Sequence, residues 1–212
     1  MARKTKEDAE RTYIALLDAA EQLFFDKGVA RTTLADIAAA AGMTRGAIYW
    51  HFKDKSAVLR ALFEQAMLPM EAMLAELDIC SEVDPLGALR HMNVQSLITL
   101  AQSPRQQRIF SIMFHKCENL GEVMGVMDHE VACRDECQTR VERLLGKAVA
   151  LGQLPADSDT FMSQQIIQNF IVGTMREWLL NPTRYALDKA APAMVDVLLA
   201  GLRASPPRLV TG

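Results

Sequence analysis

The chain has 212 residues, of which 50% are hydrophobic and 23% are charged, and this balance is typical of a folded globular protein. No uninterrupted apolar run reaches about 18 residues, so no membrane span is predicted, and the polar N-terminus does not resemble a secretory signal. We therefore expect a cytoplasmic protein whose four cysteines are thiols rather than disulfides. Low aromatic content and sparse glycine and proline favour helices over strands.

The charge is unevenly distributed along the chain. Residues 1–55 contain nine Lys or Arg and eight Asp or Glu, whereas residues 56–212 contain fourteen and eighteen. A slightly basic N-terminal part followed by an acidic remainder is typical of a DNA reader that carries a separate effector module. The overall net charge of −3 hides this difference.

Three helices are predicted in residues 1–54. The first spans about Glu7 to Lys27 and ends at Gly28. The second is capped by Thr32 or Thr33 and ends before Gly42, and the third covers residues 44–52. Two short helices joined by a turn and held by a longer first helix make a helix-turn-helix. The apolar stripe of the first helix consists of Ile14, Leu17, Ala20 and Phe24.

Six helices are predicted in residues 55–212, so the chain is expected to be all-α with nine helices. The first begins at Asp54 or Ser56, and we expect a kink or break near Gln65–Pro69 because proline lacks an amide hydrogen and clashes with the preceding turn. A loop is expected over Asp78–Asp84. The later helices are expected from Pro85 to Gln102, from Pro104 to about Cys117–Gly121, from there to Leu151, from Asp157 or Ser158 to Asn181, and from Leu187 to Arg203.

Two segments carry a more specific pattern. Residues 28–37 read GVARTTLADI and residues 41–55 read AGMTRGAIYWHFKDK, and together they resemble the DNA-binding signature of TetR-family repressors. The start of the chain, residues 1–6, and the FHKCE run at residues 114–118 resemble the AcrR-like regulators of multidrug efflux operons. The resemblance implies a homodimer that binds a palindromic double-stranded operator and is released by a small hydrophobic ligand, without a cofactor.

The resemblance also implies a division of roles. Residues 1–54 form the DNA-binding domain, and residues 55–212 form the domain for ligand binding and dimerisation. Arginine can bond guanine through two hydrogen bonds, and hydroxyl groups and helix N-termini suit phosphate oxygens. Base-facing positions are Thr44, Arg45 and Gly46, and phosphate-contacting positions are Thr33, Tyr49, His51 and Lys55. Trp50 is expected either to contact DNA or to pack within the protein, and Lys53 is expected to be a solvated charge.

A ligand pocket and a dimer interface are predicted in the second domain. Methionine is flexible and polarizable, which suits a pocket for ligands of several shapes. The AcrR-like group can carry an acidic residue near Met67, so Glu64 or Glu118 remains an alternative charged partner for a ligand. The predicted pocket residues are Phe63, Met67, Met70, Phe110, Met113 and Phe114. The predicted interface residues are Phe161, Ile166, Phe170, Val195, Leu198, Leu199 and Leu202.

Some residues also allow other functions. His129, Cys133 and Cys137 recur every fourth residue, but three such positions span about 12 Å of helix, too far for one ion. We therefore predict no metal site and keep redox or metal sensing as an alternative. Phosphate-loop, His-Glu-x-x-His and nucleophile-elbow motifs are missing from the sequence, so no enzyme is predicted. A TetR-type regulator of lipid or aromatic metabolism is the second alternative, and an enzyme or small-molecule carrier is the third.

Overall fold

The structure, a computed structural model, describes residues 6–80, 83–117 and 137–209. These residues form nine helices, and their only extended pairing is an isolated bridge between Ser158 and Arg208. The all-α prediction is therefore confirmed. The helices are α1 (Lys6–Lys27), α2 (Leu34–Ala40), α3 (Arg45–His51), α4 (Lys55–Cys80), α5 (Pro85–Gln102), α6 (Pro104–His115), α7 (described over residues 137–150), α8 (Thr160–Leu180) and α9 (Leu187–Ala204).

The chain divides into two compact units. One falls within Met1–Met67 and Arg108–Glu130, and the other within Leu68–Gln107 and Val131–Gly212. The first unit therefore contains α1 to α3 together with the beginning of α4 and most of α6. The predicted domain boundary between residues 54 and 55 stays a prediction.

Local sequence signals explain where the first three helices begin and end. The Thr33 hydroxyl oxygen accepts a hydrogen bond from the Asp36 amide at 3.1 Å, and the Asp36 carboxylate accepts one from the Thr33 amide at 2.9 Å. This reciprocal capping box starts α2. The Thr44 hydroxyl likewise caps α3 by accepting from the Ala47 amide. After α1 the chain turns at Gly28, whose φ of 83° suits a residue without a side chain.

Helix α4 differs from the prediction. It runs without interruption from Lys55 to Cys80 with Pro69 inside it, so a break near Gln65–Pro69 is wrong, whereas a kink there stays a prediction. The helix also includes residues 78–80, which were expected to belong to the following loop. A proline removes one amide donor from a helix. In the turns before it, a buried apolar face outweighs that loss, and it consists of Val58, Leu59, Leu62, Phe63 and Ala66.

The core of the first unit lies between α1, α2 and α3. Leu17, Ala20 and Phe24 on α1 are fully buried, as are Ile37 on α2 and Ile48 on α3. The predicted stripe was wrong at one position, because 45% of Ile14 is exposed. Leu16 is fully buried instead, since the neighbouring helices cover that side of α1.

The core of the second unit lies where α5 packs on α8 and α9. Leu89, Leu97 and Leu100 on α5 are fully buried. A bidentate ion pair joins Arg90 on α5 to Asp196 on α9, with N–O distances of 2.5 and 2.9 Å. No helix of the described residues is long and apolar enough to span a membrane.

Candidate functional site

The third helix exposes most of the side chains that the sequence predicts to face DNA. Thr44, Arg45 and Gly46 at its start are exposed, and Tyr49 and Trp50 are 51% and 73% exposed. Ile48 faces the opposite side and is fully buried. The structure thus brings five predicted residues to one exposed surface, which we call the α3 surface.

Gly46 is not required by the packing of the protein itself. A methyl group added there would meet only the Thr44 hydroxyl oxygen, at 3.9 Å, which is ordinary van der Waals contact. The backbone at Gly46 does not have the positive φ that would select glycine. The described fold would therefore accept a small side chain at this position, and the role of Gly46 in DNA binding stays a prediction.

Aromatic contacts support the end of α3. The Trp50 and His51 rings meet edge to face with centroids 4.6 Å apart. Tyr13 on α1 stacks on Phe52 at 5.2 Å and lies 5.7 Å from His51. Burial, and secondly the nearby Glu64 carboxylate, raises the pKa of the Tyr13 hydroxyl. His51 is therefore half-buried within an aromatic group, and the sequence reasoning missed Tyr13.

Two predicted phosphate-contacting residues already have partners within the chain. The Thr33 hydroxyl donates to the Asp36 carboxylate at 2.7 Å, and the two bonds from Thr33 lower the pKa of that carboxyl group. The Lys55 ammonium donates to the Val29 carbonyl oxygen at 3.0 Å. Both side chains therefore also hold the local fold, and their contact with DNA stays a prediction.

The predicted pocket residues fall partly into one aromatic cluster. The Phe63 ring on α4 meets the Phe110 ring on α6 edge to face at 6.3 Å, and Phe110 stacks with Phe114 at 5.8 Å. Met67 and Met113 are half-buried. We call Phe63, Phe110 and Phe114 the aromatic cluster. The Met70 side chain and Glu118 lie outside what the structure describes, and Glu64 is exposed.

The predicted interface residues separate into two groups. Phe161 and Ile166 are 54% and 39% exposed, and Phe170 and Leu198 are half-buried. In contrast, Val195, Leu199 and Leu202 are buried within the chain's own fold, because this side of α9 faces α5. The opposite side of α9 is also apolar, which the sequence reasoning missed, and consists of Ala193, Val197, Ala200, Gly201 and Ala204.

The alternative sites receive little support from the described residues. His129 and Cys133 lie outside them, and Cys117 and Cys137 are half-buried thiols. In the described ranges no group of three His, Cys, Asp or Glu side chains is placed to hold a metal ion. Metal and redox sensing therefore stay alternatives to the leading hypothesis.

An ion pair between α1 and α6 was also missed by the sequence reasoning. The buried Glu21 carboxylate accepts a hydrogen bond from the Arg108 guanidinium at 2.6 Å. Glu21 is four residues after Leu17 on the buried face of α1. An acidic residue inside an apolar stripe is the signal that predicts a buried charged partner.

Family models match most of the chain. Residues 16–62 match the model described as bacterial regulatory proteins, tetR family. Residues 84–204 match the model described as MAATS-type transcriptional repressor, C-terminal region.

Individual proteins are similar over nearly the whole length. The chain is 37% identical to the HTH-type transcriptional regulator TtgR of Pseudomonas putida over 206 residues, which cover 97% of this chain and 98% of TtgR. The structure resembles NalD, the secondary repressor of the MexAB-OprM multidrug efflux pump in Pseudomonas aeruginosa, with a TM-score of 0.86, 30% identity and coverage of 94% and 100%. It also resembles Stenotrophomonas maltophilia SmeT in its triclosan complex, with a TM-score of 0.77, 33% identity and coverage of 90% and 91%.

Proposed function

We propose, from the premise that this chain belongs to the TetR family of bacterial regulatory proteins, that it represses a multidrug efflux operon. A small hydrophobic ligand releases it from its operator. The observation that carries this proposal is the whole-length similarity to NalD, which is itself a repressor of a multidrug efflux pump. The similarity to SmeT, which was solved with triclosan, supports a hydrophobic inducer.

The α3 surface supports binding in the major groove of DNA. Arg45 is exposed in the first turn of α3, where a guanidinium can reach the edge of a guanine. Gly46 keeps the next position free of a side chain, so the backbone can approach the groove floor. Tyr49 and Trp50 extend the same surface and are suited to contact the flanking phosphate backbone.

The aromatic cluster supports a ligand site between α4 and α6. The Phe110 ring contacts both Phe63 and Phe114. A flat apolar ligand can therefore replace contacts between these rings with contacts between the rings and itself. Half-buried Met67 and Met113 add flexible side chains that adapt to ligand shape. No buried acidic group is needed for such a ligand.

The first prediction tests release of the operator. The protein is expected to bind its own promoter region or that of a neighbouring transporter operon in gel-shift assays, and triclosan is expected to release it.

Met67→Trp should weaken the release by triclosan because the larger side chain fills the proposed site, while operator affinity without drug stays nearly unchanged. Leu68→Trp is the matched control, since Leu68 is 58% exposed. If the wild-type protein binds neither promoter, the proposed function is wrong.

The second prediction concerns the homodimer. Both faces of α9 are apolar, and α8 exposes Phe161, Met162 and Ile166, so a second copy is expected to cover them. Val197→Glu should produce a monomer at micromolar concentration, because it places a charge in the proposed interface. Val83→Glu, at a position that is 86% exposed, should leave the dimer intact. Light scattering measures both, and a wild-type monomer would refute the interface.

A further inference from the structure

Helix α6 contacts two different elements of the first unit through opposite faces. Phe110 contacts Phe63 on α4 and stacks with Phe114, whereas Arg108 contacts Glu21 on α1. Residues two apart on a helix point about 200° away from each other. A displacement of α6 that starts at the aromatic cluster therefore also moves the side chain that contacts α1.

Contacts continue beyond the ion pair to Val29, two residues after α1, and to Lys116, the residue after α6. The Val29 amide donates to the Lys116 carbonyl oxygen at 3.3 Å, and the Lys116 ammonium lies 6.0 Å from the centre of the Phe25 ring. The contact positions increase along both segments. We call this set of contacts, from Glu21 to Val29, the α1–α6 seam.

The seam leads into the predicted DNA-binding helices. The Val29 carbonyl oxygen accepts the bond from Lys55 at the start of α4, so the same residue joins the start of α4 to the end of α6. The next turn continues into Thr33, the cap of α2. Helix α1 in turn packs on α2 and α3, which places the α3 surface one helix away from the seam.

The Glu21–Arg108 pair is the ion pair of the seam. The Glu21 side chain is only 5% exposed, and that of Arg108 is 36% exposed. Pulling the helices apart removes the Arg108 guanidinium from a buried carboxylate, which is costly in a low-dielectric interior. Apolar contacts of the same size would separate or slide with a smaller penalty. The pair therefore favours a joint displacement of α1 and α6.

We propose that Glu21 and Arg108 are positioning residues that determine how much of an inducer's effect on α6 reaches the α3 surface. The inference rests on the proposed function, because it requires a ligand at the aromatic cluster and an operator at α3. A ligand lowers operator affinity only if it favours a conformation in which the DNA-binding helices are displaced. A contact that forces α1 to move with α6 increases that coupling, although it touches neither ligand nor DNA.

The test is the double variant Glu21→Gln/Arg108→Gln, which removes both charges and leaves two amides of similar size. Operator affinity is measured by fluorescence anisotropy with and without triclosan, and triclosan affinity by calorimetry with and without operator. The ratio of operator dissociation constants with and without triclosan should be about three- to tenfold smaller than in the wild type. Triclosan binding to the operator-free protein should stay within about twofold of the wild type, a change smaller than the coupling being measured.

A merely structural role gives a different result. It lowers the melting temperature of the variant but leaves the ratio unchanged, because the loss of stability is then the same with and without triclosan. Linkage requires the calorimetric ratio to agree with the anisotropy ratio in each protein. The matched control is Arg90→Gln/Asp196→Asn, which removes another interhelical ion pair, between α5 and α9, and should keep the wild-type ratio. If the double variant does not fold, Glu21→Gln alone is measured, since it keeps Arg108 and an acceptor for it.

The outcomes separate the inference from the proposed function. A wild-type ratio well above 1 with an equal ratio in the folded variant overturns the positioning role only. A wild-type ratio of 1 overturns induction by triclosan and the positioning role with it. A reduced ratio in the control as well as in the variant shows a general effect of lost ion pairs, and this also overturns the inference.

Discussion

Phe24→Ala is expected to lower the free energy of unfolding by about 3–5 kcal/mol. Phe24 is fully buried on the same face of α1 as Leu17 and Ala20, and α1 packs on α2 and α3. Removing the ring leaves a cavity that the neighbouring helices fill only in part. Since natural domains are stable by about 5–15 kcal/mol, this loss should also reduce operator binding, because α3 no longer has a firm support.

Ile14→Ala is the control for this prediction, because it shortens an apolar residue on the same helix that is 45% exposed. Its effect should stay within about 0.5 kcal/mol. Urea unfolding followed by circular dichroism measures both variants, at one protein concentration because dimerisation adds to apparent stability. Equal losses for Phe24 and Ile14 would contradict a core of the first unit that is centred on Phe24.

Arg45→Ala should cost about 1–3 kcal/mol at one base position in each half-site and relax sequence preference there. Arg45 is exposed in the first turn of α3, so its truncation is expected to leave the packing of the first unit intact. Lys55→Ala should instead weaken all sequences alike and reduce the slope of log K against log salt by about 0.9, as expected for one phosphate contact. Anisotropy titrations on a set of single-base operator variants, repeated at several salt concentrations, measure both effects.

The bond from Lys55 to the Val29 carbonyl makes a control necessary, because losing it also loosens the turn after α1. Lys53→Ala removes the same charge from an exposed position two residues earlier. It should change the salt slope less than Lys55→Ala does. If Arg45→Ala and Lys55→Ala give the same sequence profile and the same salt slope, the division between base and phosphate contacts is wrong.

Local structure in this protein could be predicted from the sequence because its causes are local. A glycine at residue 28 ends α1, and the Thr33–Asp36 capping box starts α2. Each of these signals acts through the backbone of residues within one helical turn. Helical spacing of apolar residues similarly predicts the later helices and hence the all-α class. The run of residues 41–55 predicts a DNA-binding helix pair because its pattern is specific to one family.

Which of several apolar faces is buried depends on how the helices pack against each other. Both sides of α9 are apolar, and only the packing of α5 determines that Val195, Leu199 and Leu202 belong to the chain's own core. On α1 the packing of neighbouring helices similarly buries Leu16 and leaves Ile14 exposed. Periodicity measures the spacing along one helix, whereas burial depends on neighbours that are distant in sequence.

Contacts between residues distant in sequence could not be predicted from the sequence either. Glu21 and Arg108 are 87 positions apart and Val29 and Lys55 are 26 apart, and no local pattern pairs them. The uninterrupted α4 has the same origin, since the buried face before Pro69 holds a helix that local propensity would break. Local patterns in the sequence were enough to predict the all-α class and the family. Only the packing of those helices decided which residues join α6 to α1, because that contact exists only once the chain has folded.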